Sequence, residues 1–179
     1  TVAIYAGRLG KEKNLDFLLD AFARLPAELD WRLLLVGEGA ESGLLQERVA
    51  SLQLQRRVLF TGPLPYQEMP QVYAAGDLFV ITSTTEVKPL VVLEAMASGL
   101  PVVAVAACGT EDTLTHQHDG LLSTSDLEAY SLQLQQAIRD ADGRFRWGQN
   151  ARRTAAQYGI DNYTRRLDGL YQGVIEQKR

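Results

Sequence analysis

The chain has 179 residues, 46% apolar and 22% charged, an ordinary globular composition that excludes a disordered or fibrous protein. Eighteen Lys and Arg against 22 Asp and Glu leave a net charge of -4, so no nucleic-acid partner is expected and any anion site must be local. Cys108 is the only cysteine, which excludes an internal disulfide and a cysteine-rich metal site and fits a reducing, cytoplasmic setting.

Val2 to Ala6 reads as a short buried strand ending at Gly7. No initiator Met or leader precedes it, and the chain reads as an excerpt of a longer protein. After a loop from Gly7 to Lys13, Asn14 stands as an N-cap before Leu15, Leu18, Leu19, Phe22 and Leu25 at helical spacing, with Pro26 as the stop. The pattern then repeats: strand Leu33 to Val36, helix 41–52, strand Val58 to Thr61, helix 67–75. Strand Leu78 to Thr82 leads to a helix from Leu90 to Ser98, and strand Val102 to Val105 follows. A last short strand falls near Leu121 and Leu122, before helices at 126–140, 145–157 and 162–176. Continuous Leu/Val/Ile strands alternating with amphipathic helices predict a doubly wound, Rossmann-like α/β parallel sheet with a helical C-terminal tail. No apolar run approaches the roughly 18 residues of a transmembrane helix. Residues 139–179 hold nine basic and five acidic groups, which points either to solvated helix faces or to docking on anionic lipid or an acidic neighbouring domain.

In such a sheet, ligands sit at the loops that leave the carboxyl ends of the strands. The first of these holds Arg8 and Lys13, two cations able to converge on a phosphate or diphosphate, or simply to be solvated. Gly37-Glu38-Gly39 departs from the dinucleotide fingerprint: the next glycine is Gly43, and no carboxylate follows strand 58–61. The segment from Ser83 to Val103 places Glu86 in a strand-to-helix loop and Glu94 about one turn inside the next helix. There the two carboxylates can face one site beside a helix N-terminus, taking sugar hydroxyls while the helix amides take phosphate. Alternatively, Glu94 is a helix-dipole residue and Glu86 a loop charge. His116 and His118 lack further metal ligands nearby, and Cys108 has no histidine partner close in sequence. Asp77 precedes its strand, which disfavours a receiver-type phosphoacceptor.

The spacing from Glu86 to Glu94, followed by Ala95-Met96-Ala97-Ser98-Gly99-Leu100-Pro101-Val102-Val103, resembles the signature of GT4-type (group 1) retaining glycosyltransferases. Gly7-Arg8-Leu9, Glu12-Lys13-Asn14 and Leu35-Val36-Gly37-Glu38-Gly39 are similar to that family's other donor-site loops, and the likeness extends through Asp119-Gly120-Leu121-Leu122. The resemblance implies residues 1–179 form the C-terminal, nucleotide-sugar-binding domain of a GT-B enzyme, lacking the N-terminal acceptor domain. It implies that Arg8 and Lys13 hold the donor diphosphate, that Glu94 accepts from ribose hydroxyls and Glu86 from the transferred sugar. Gly7, Gly37, and the amides of Leu90 and Val91 would line the donor, with Gly62 and Leu64 bordering the base. Arg8, Lys13 and Glu86 would act in catalysis without a metal or other cofactor. The partners implied are a nucleotide-sugar donor, the missing domain and, for the longer protein, a membrane surface contacted from the cytoplasm. Lys88 and Pro89 depart from the aromatic-Gly pair usual in the family. A nucleotide-sugar sensor or inactive partner subunit, and a GT-B epimerase, are the alternatives; the epimerase would need acid/base histidines that no motif here supplies.

Overall fold

Six parallel strands form one sheet in the spatial order β3-β2-β1-β4-β5-β6. They are β1 (Val2–Ala6), β2 (Arg32–Val36), β3 (Val58–Gly62), β4 (Leu78–Ile81), β5 (Val102–Val105) and β6 (Gly120–Ser123). The computed structural model describes residues 1–177, with side chains described through Ile175. Among the described residues eight α-helices connect and flank the strands: α1 (Leu15–Ala23), α2 (Ser42–Ser51), α3 (Met69–Ala74), α4 (Leu90–Ala97), α5 (Cys108–Glu111), α6 (Leu127–Arg139), α7 (Ala141–Ala156) and α8 (Ile160–Gln177). Among the described residues no helix is long and apolar enough to cross a membrane.

Alternate strand residues feed two separate cores, as the two-residue period of a strand requires. Tyr5, Leu33, Leu35, Val80 and Val103 pack with α1, α2 and α6 on one face, where Phe22 meets Trp31 with ring centroids 4.7 Å apart. Ile4, Phe79, Ile81 and Ala104 pack with α3, α4 and α7 on the other. β4 and β5 are buried at all their residues, which explains their unbroken apolar sequence. α8 differs, because Ile160, Tyr163, Leu170 and Tyr171 on its apolar side are exposed.

Most of the predicted elements are present, with local corrections. Asn14 does not cap α1 through its side chain; it adopts a left-handed conformation (φ 54°) between a single 3-10 turn at Lys11–Lys13 and α1. α1 ends at Ala23 rather than near Pro26, and the 67–75 helix is a 3-10 turn at Tyr66–Glu68 followed by α3. Thr82 has left the strand, its hydroxyl lying 3.0 Å from the Lys13 carbonyl and 3.1 Å from that of Asn14. α7 begins at Ala141 instead of 145, because the Asp140 carboxylate accepts from the Gly143 amide at 2.7 Å and caps it there. The short α5, only four residues long, falls where the sequence predicts loop. Asp119 of the Asp-Gly-Leu-Leu motif is buried and structural, accepting from the Thr115 amide and the Thr154 hydroxyl and so fastening the start of β6 to α7. Of the basic residues counted in the tail, Lys178 and Arg179 lie outside the described residues.

The loops beyond β1, β2 and β3 continue side by side through backbone hydrogen bonds: Gly7 N–H to Val36 O, Leu9 N–H to Glu38 O and Gly37 N–H to Gly62 O. This close approach needs Gly37, whose φ is +128° and where a Cβ would collide with the Gly7 carbonyl. Gly37→Ala should therefore destabilise the fold by about 2 kcal/mol or more. Gly43→Ala should stabilise it by about 0.5–1 kcal/mol, since Gly43 lies in α2 with nothing within 4 Å of an added Cβ. Urea unfolding of both variants checks the opposite signs.

Candidate functional site

The strand order reverses between β1 and β4, so their following loops diverge to opposite sides and leave a crevice at the carboxyl end of the sheet. A cleft of about 160 Å³ lies there, lined by Tyr5, Ala6, Gly7, Lys13, Ile81, Glu86, Lys88, Pro89, Leu90 and Val91. The 3-10 turn that presents Lys13 is fixed by the exit of β4: Thr82 reaches the carbonyls of Lys13 and Asn14, and Ser83 donates to the Glu12 carbonyl at 3.1 Å. Both hydroxyl residues are fully buried. The loop bearing Glu86 is held from the other side, where the Gly109 amide donates to the Glu86 carbonyl at 3.0 Å. Gly109 admits no side chain, because a Cβ would collide with that carbonyl.

Between the two loops, Lys13 Nζ donates to Glu86 Oε1 at 2.5 Å. The two side chains are 22% and 20% exposed, so the pair is better shielded than a surface ion pair. Arg8 does not converge with Lys13 as the sequence predicts. Its guanidinium, 73% exposed, turns outward to Glu12 at 2.7 Å, an i,i+4 pair formed across the loop. Hydrogen bonding to its own backbone amide, reinforced by the Arg8 charge, holds the Glu12 carboxyl below the usual carboxylate range. Tyr5, an ordinary strand residue by its sequence pattern, donates from its hydroxyl to the Arg8 carbonyl at 2.9 Å. Burial, followed by the charge of Glu86, pushes the Tyr5 hydroxyl above the ordinary tyrosine range, so it remains a donor.

Glu86 and Glu94 do not face one site. Glu94 is the fifth residue of α4, and the helix turns it away from the cleft into an adjoining hollow of about 210 Å³ lined by Tyr66, Met69, Pro70, Tyr73, Ala97 and Ser98. Its Oε2 accepts from the Tyr73 hydroxyl at 3.0 Å and its Oε1 from the Tyr66 hydroxyl at 3.4 Å. Burial and the Glu94 charge push the Tyr73 hydroxyl upward too. Gly37, Gly62 and Leu64 do not line the cleft: Gly62 ends β3 and accepts from the Gly37 amide on the loop after β2, and Leu64 lies on the loop that follows β3.

α4 contributes its N-terminus. Pro89 precedes it, and the Val92 and Leu93 amides both bond back to the Pro89 carbonyl. The Leu90 and Val91 amides are left as the free donors of the first turn among the described residues, at the lining of the cleft. His116 has a structural use, its Nδ1 accepting from the Leu122 amide at 3.0 Å. Cys108 is exposed at the start of α5.

Residues 1–154 match the model of the family described as glycosyl transferases group 1. The chain is 35% identical to the sulfoquinovosyl transferase SQD2 of Arabidopsis thaliana over 88% of its own length and 30% of that protein. It is 33% identical to the D-inositol 3-phosphate glycosyltransferase of Corynebacterium urealyticum over 95% of this chain and 42% of the relative. Among solved structures, Anabaena HepE in complex with UDP superposes with a TM-score of 0.87 at 28% identity, covering 96% of this chain and 48% of that one. The chain thus spans less than half the length of each of these proteins. With a six-stranded Rossmann-like sheet, a crevice at its switch point and a family match over most of its residues, the chain belongs to the group 1 glycosyltransferases, as a C-terminal domain of their GT-B fold.

Proposed function

We propose that this chain is the nucleotide-sugar-binding half of a retaining glycosyltransferase, which moves a hexosyl group from a nucleoside diphosphate sugar to an acceptor hydroxyl. The observation that carries the reading is the shielded Lys13–Glu86 pair beside the free amides of Leu90 and Val91, at the point where strand order reverses. The UDP bound in the HepE complex supports the ligand class.

In this reading Lys13 leaves Glu86 for the donor diphosphate, and Glu86 is released to accept from hydroxyls of the transferred sugar. Arg8 swings from Glu12 to the outer phosphate, a movement its exposure permits. Glu94, held by Tyr73, accepts from the ribose hydroxyls, with Gly62 and Leu64 bordering the base. Gly7 and Gly37 give the diphosphate access to backbone. Charge builds on the departing diphosphate as the glycosidic bond breaks, and two cations with a helix N-terminus stabilise it. Those groups take the part a divalent cation plays in metal-dependent transfer. The acceptor would be positioned by the remainder of a longer protein, which also would set any contact with a membrane surface.

Calorimetric titration with UDP, GDP and ADP should find binding of at least one, with no sugar transfer by these 179 residues alone. Failure to bind all three overturns the reading, and turnover overturns its requirement for a second half. Lys13→Ala should weaken the diphosphate about tenfold or more while leaving the bare nucleoside unaffected, since a charge-assisted hydrogen bond is worth about 1.5–3 kcal/mol. Arg8→Ala should show a smaller loss that shrinks further as salt rises, because its guanidinium is exposed. Glu94→Gln should weaken nucleoside and nucleoside diphosphate alike by about tenfold. Glu86→Gln should keep or raise affinity for the diphosphate, as it frees Lys13, and lower affinity for the intact sugar nucleotide. A loss on the diphosphate equal to that on the sugar nucleotide would place Glu86 elsewhere.

A further inference from the structure

One charged residue of the cleft lining is left over by the donor assignments. Lys88 lines it together with Lys13 and Glu86, but Lys13 and Glu86 are paired with each other. The other lining residues, Tyr5, Ala6, Gly7, Ile81, Pro89, Leu90 and Val91, are uncharged at neutral pH. Lys88 therefore leaves the lining with a net positive charge, and among the described residues no carboxylate lies within ion-pair distance of it.

The ammonium is instead held on an aromatic face. Lys88 Nζ lies 3.8 Å from the centroid of the Tyr158 ring. Tyr158 sits in the link between α7 and α8, where its hydroxyl donates to the Asp112 carbonyl at 3.2 Å. A ring anchored in this way restricts where the ammonium rests, and it binds a cation more weakly than an anion does. The supporting backbone is fixed on both sides of Lys88, by the Gly109 hydrogen bond to Glu86 and by the buried Pro89 that opens α4. The charge is thus placed and restrained, yet left without an anion.

Its position decides which part of a donor it meets. Lys88 lies in sequence between Glu86 and the Leu90 and Val91 amides, the groups that the proposed function assigns to the transferred sugar. Lys13 and Arg8, assigned to the diphosphate, come from the loop after β1 across the cleft. An ammonium has three donors and no acceptor, so a neutral hexose hydroxyl gives it little that water does not. A carboxylate or sulfonate on the sugar would form a charge-assisted hydrogen bond, reinforced by the positive end of α4.

We propose that Lys88 is a specificity-determining residue that selects a nucleoside diphosphate sugar whose transferred group carries a negative charge. This rests on the donor-site reading, and the test separates the two. The affinities of UDP, UDP-glucose and UDP-glucuronate are measured by calorimetry on the wild-type chain and on Lys88→Gln and Lys88→Arg, with thermal unfolding to establish that each is folded. The expected result is a preference for UDP-glucuronate over UDP-glucose of about tenfold, equivalent to about 1.4 kcal/mol. Lys88→Gln should abolish that preference and Lys88→Arg should keep it, with the loss falling on UDP-glucuronate and not on UDP. If UDP binds but the wild type shows no preference, Lys88 does not select an anion and only this proposal fails. If Lys88→Gln weakens UDP and UDP-glucuronate equally, Lys88 serves the diphosphate and the proposal is again overturned. If none of the three binds and GDP and ADP also fail, the donor-site reading falls and takes this inference with it; if GDP or ADP binds in their place, the neutral and anionic sugars are compared on that nucleotide and the same outcomes decide.

Discussion

Everything at the site depends on how the turn after β1 is fastened to the exit of β4. The hydroxyls of Thr82 and Ser83 hold three consecutive carbonyls, those of Glu12, Lys13 and Asn14, across a gap of about seventy residues in sequence. Both hydroxyl residues are fully buried, and a buried polar group left without its partner costs about 1–3 kcal/mol, so the turn cannot drift without a penalty. Asn14 accepts a left-handed backbone as part of the same arrangement. The strain is tolerated because the turn must both end in time for α1 to pack and aim Lys13 into the crevice.

The charged groups around that turn are satisfied by one another. Lys13 is held by Glu86 and Arg8 by Glu12, while Glu94 is held by two tyrosine hydroxyls. Such pairing keeps a half-buried cation and carboxylate from standing alone, which burial would penalise heavily. It also sets a requirement on any ligand, which must replace each partner it displaces. A diphosphate that takes Lys13 frees a carboxylate in the same cleft, and that carboxylate then needs donors. On the proposed reading the sugar of the donor supplies hydroxyls at that point, joined to the anion that displaced Lys13.

The architecture is legible in the sequence because its strands are continuous apolar runs and its helices are amphipathic, signals that depend only on local period. Lys13 and Glu86 are legible because the loops at the carboxyl ends of strands meet at the switch point, and Gly7, Leu90 and Val91 through the likeness of their segments to the family's donor-site loops. Side-chain direction is not. Arg8 and Lys13 look equivalent along the chain, but only Lys13 emerges from the 3-10 turn toward the crevice, and no pattern of residue types encodes that rotation. Glu94 departs from its expected place for a related reason: the fifth position of α4 points beside the cleft instead of into it, which depends on where the helix starts. Thr82, Ser83 and Gly109 carry no signal in the sequence, since their roles consist of bonds to backbone distant along the chain.

α4 contributes to two hollows with separate linings, Leu90 and Val91 to one and Glu94 and Ala97 to the other. Glu86 and the first-turn amides serve one, while Glu94 with Tyr66 and Tyr73 serves the other. At Gly7, which lines the cleft, the loops after β1 and β2 run edge to edge, and the Gly37 amide continues the contact to Gly62 at the end of β3. A ligand that used only one hollow would leave the other set of donors and acceptors engaged solely with itself. On the proposed reading the nucleoside end of the donor meets Glu94 and its diphosphate meets Lys13, so one ligand draws on both linings. Glycine at position 37 keeps the loops after β1 and β2 in contact at the edge of the cleft, because a Cβ there would collide with the Gly7 carbonyl.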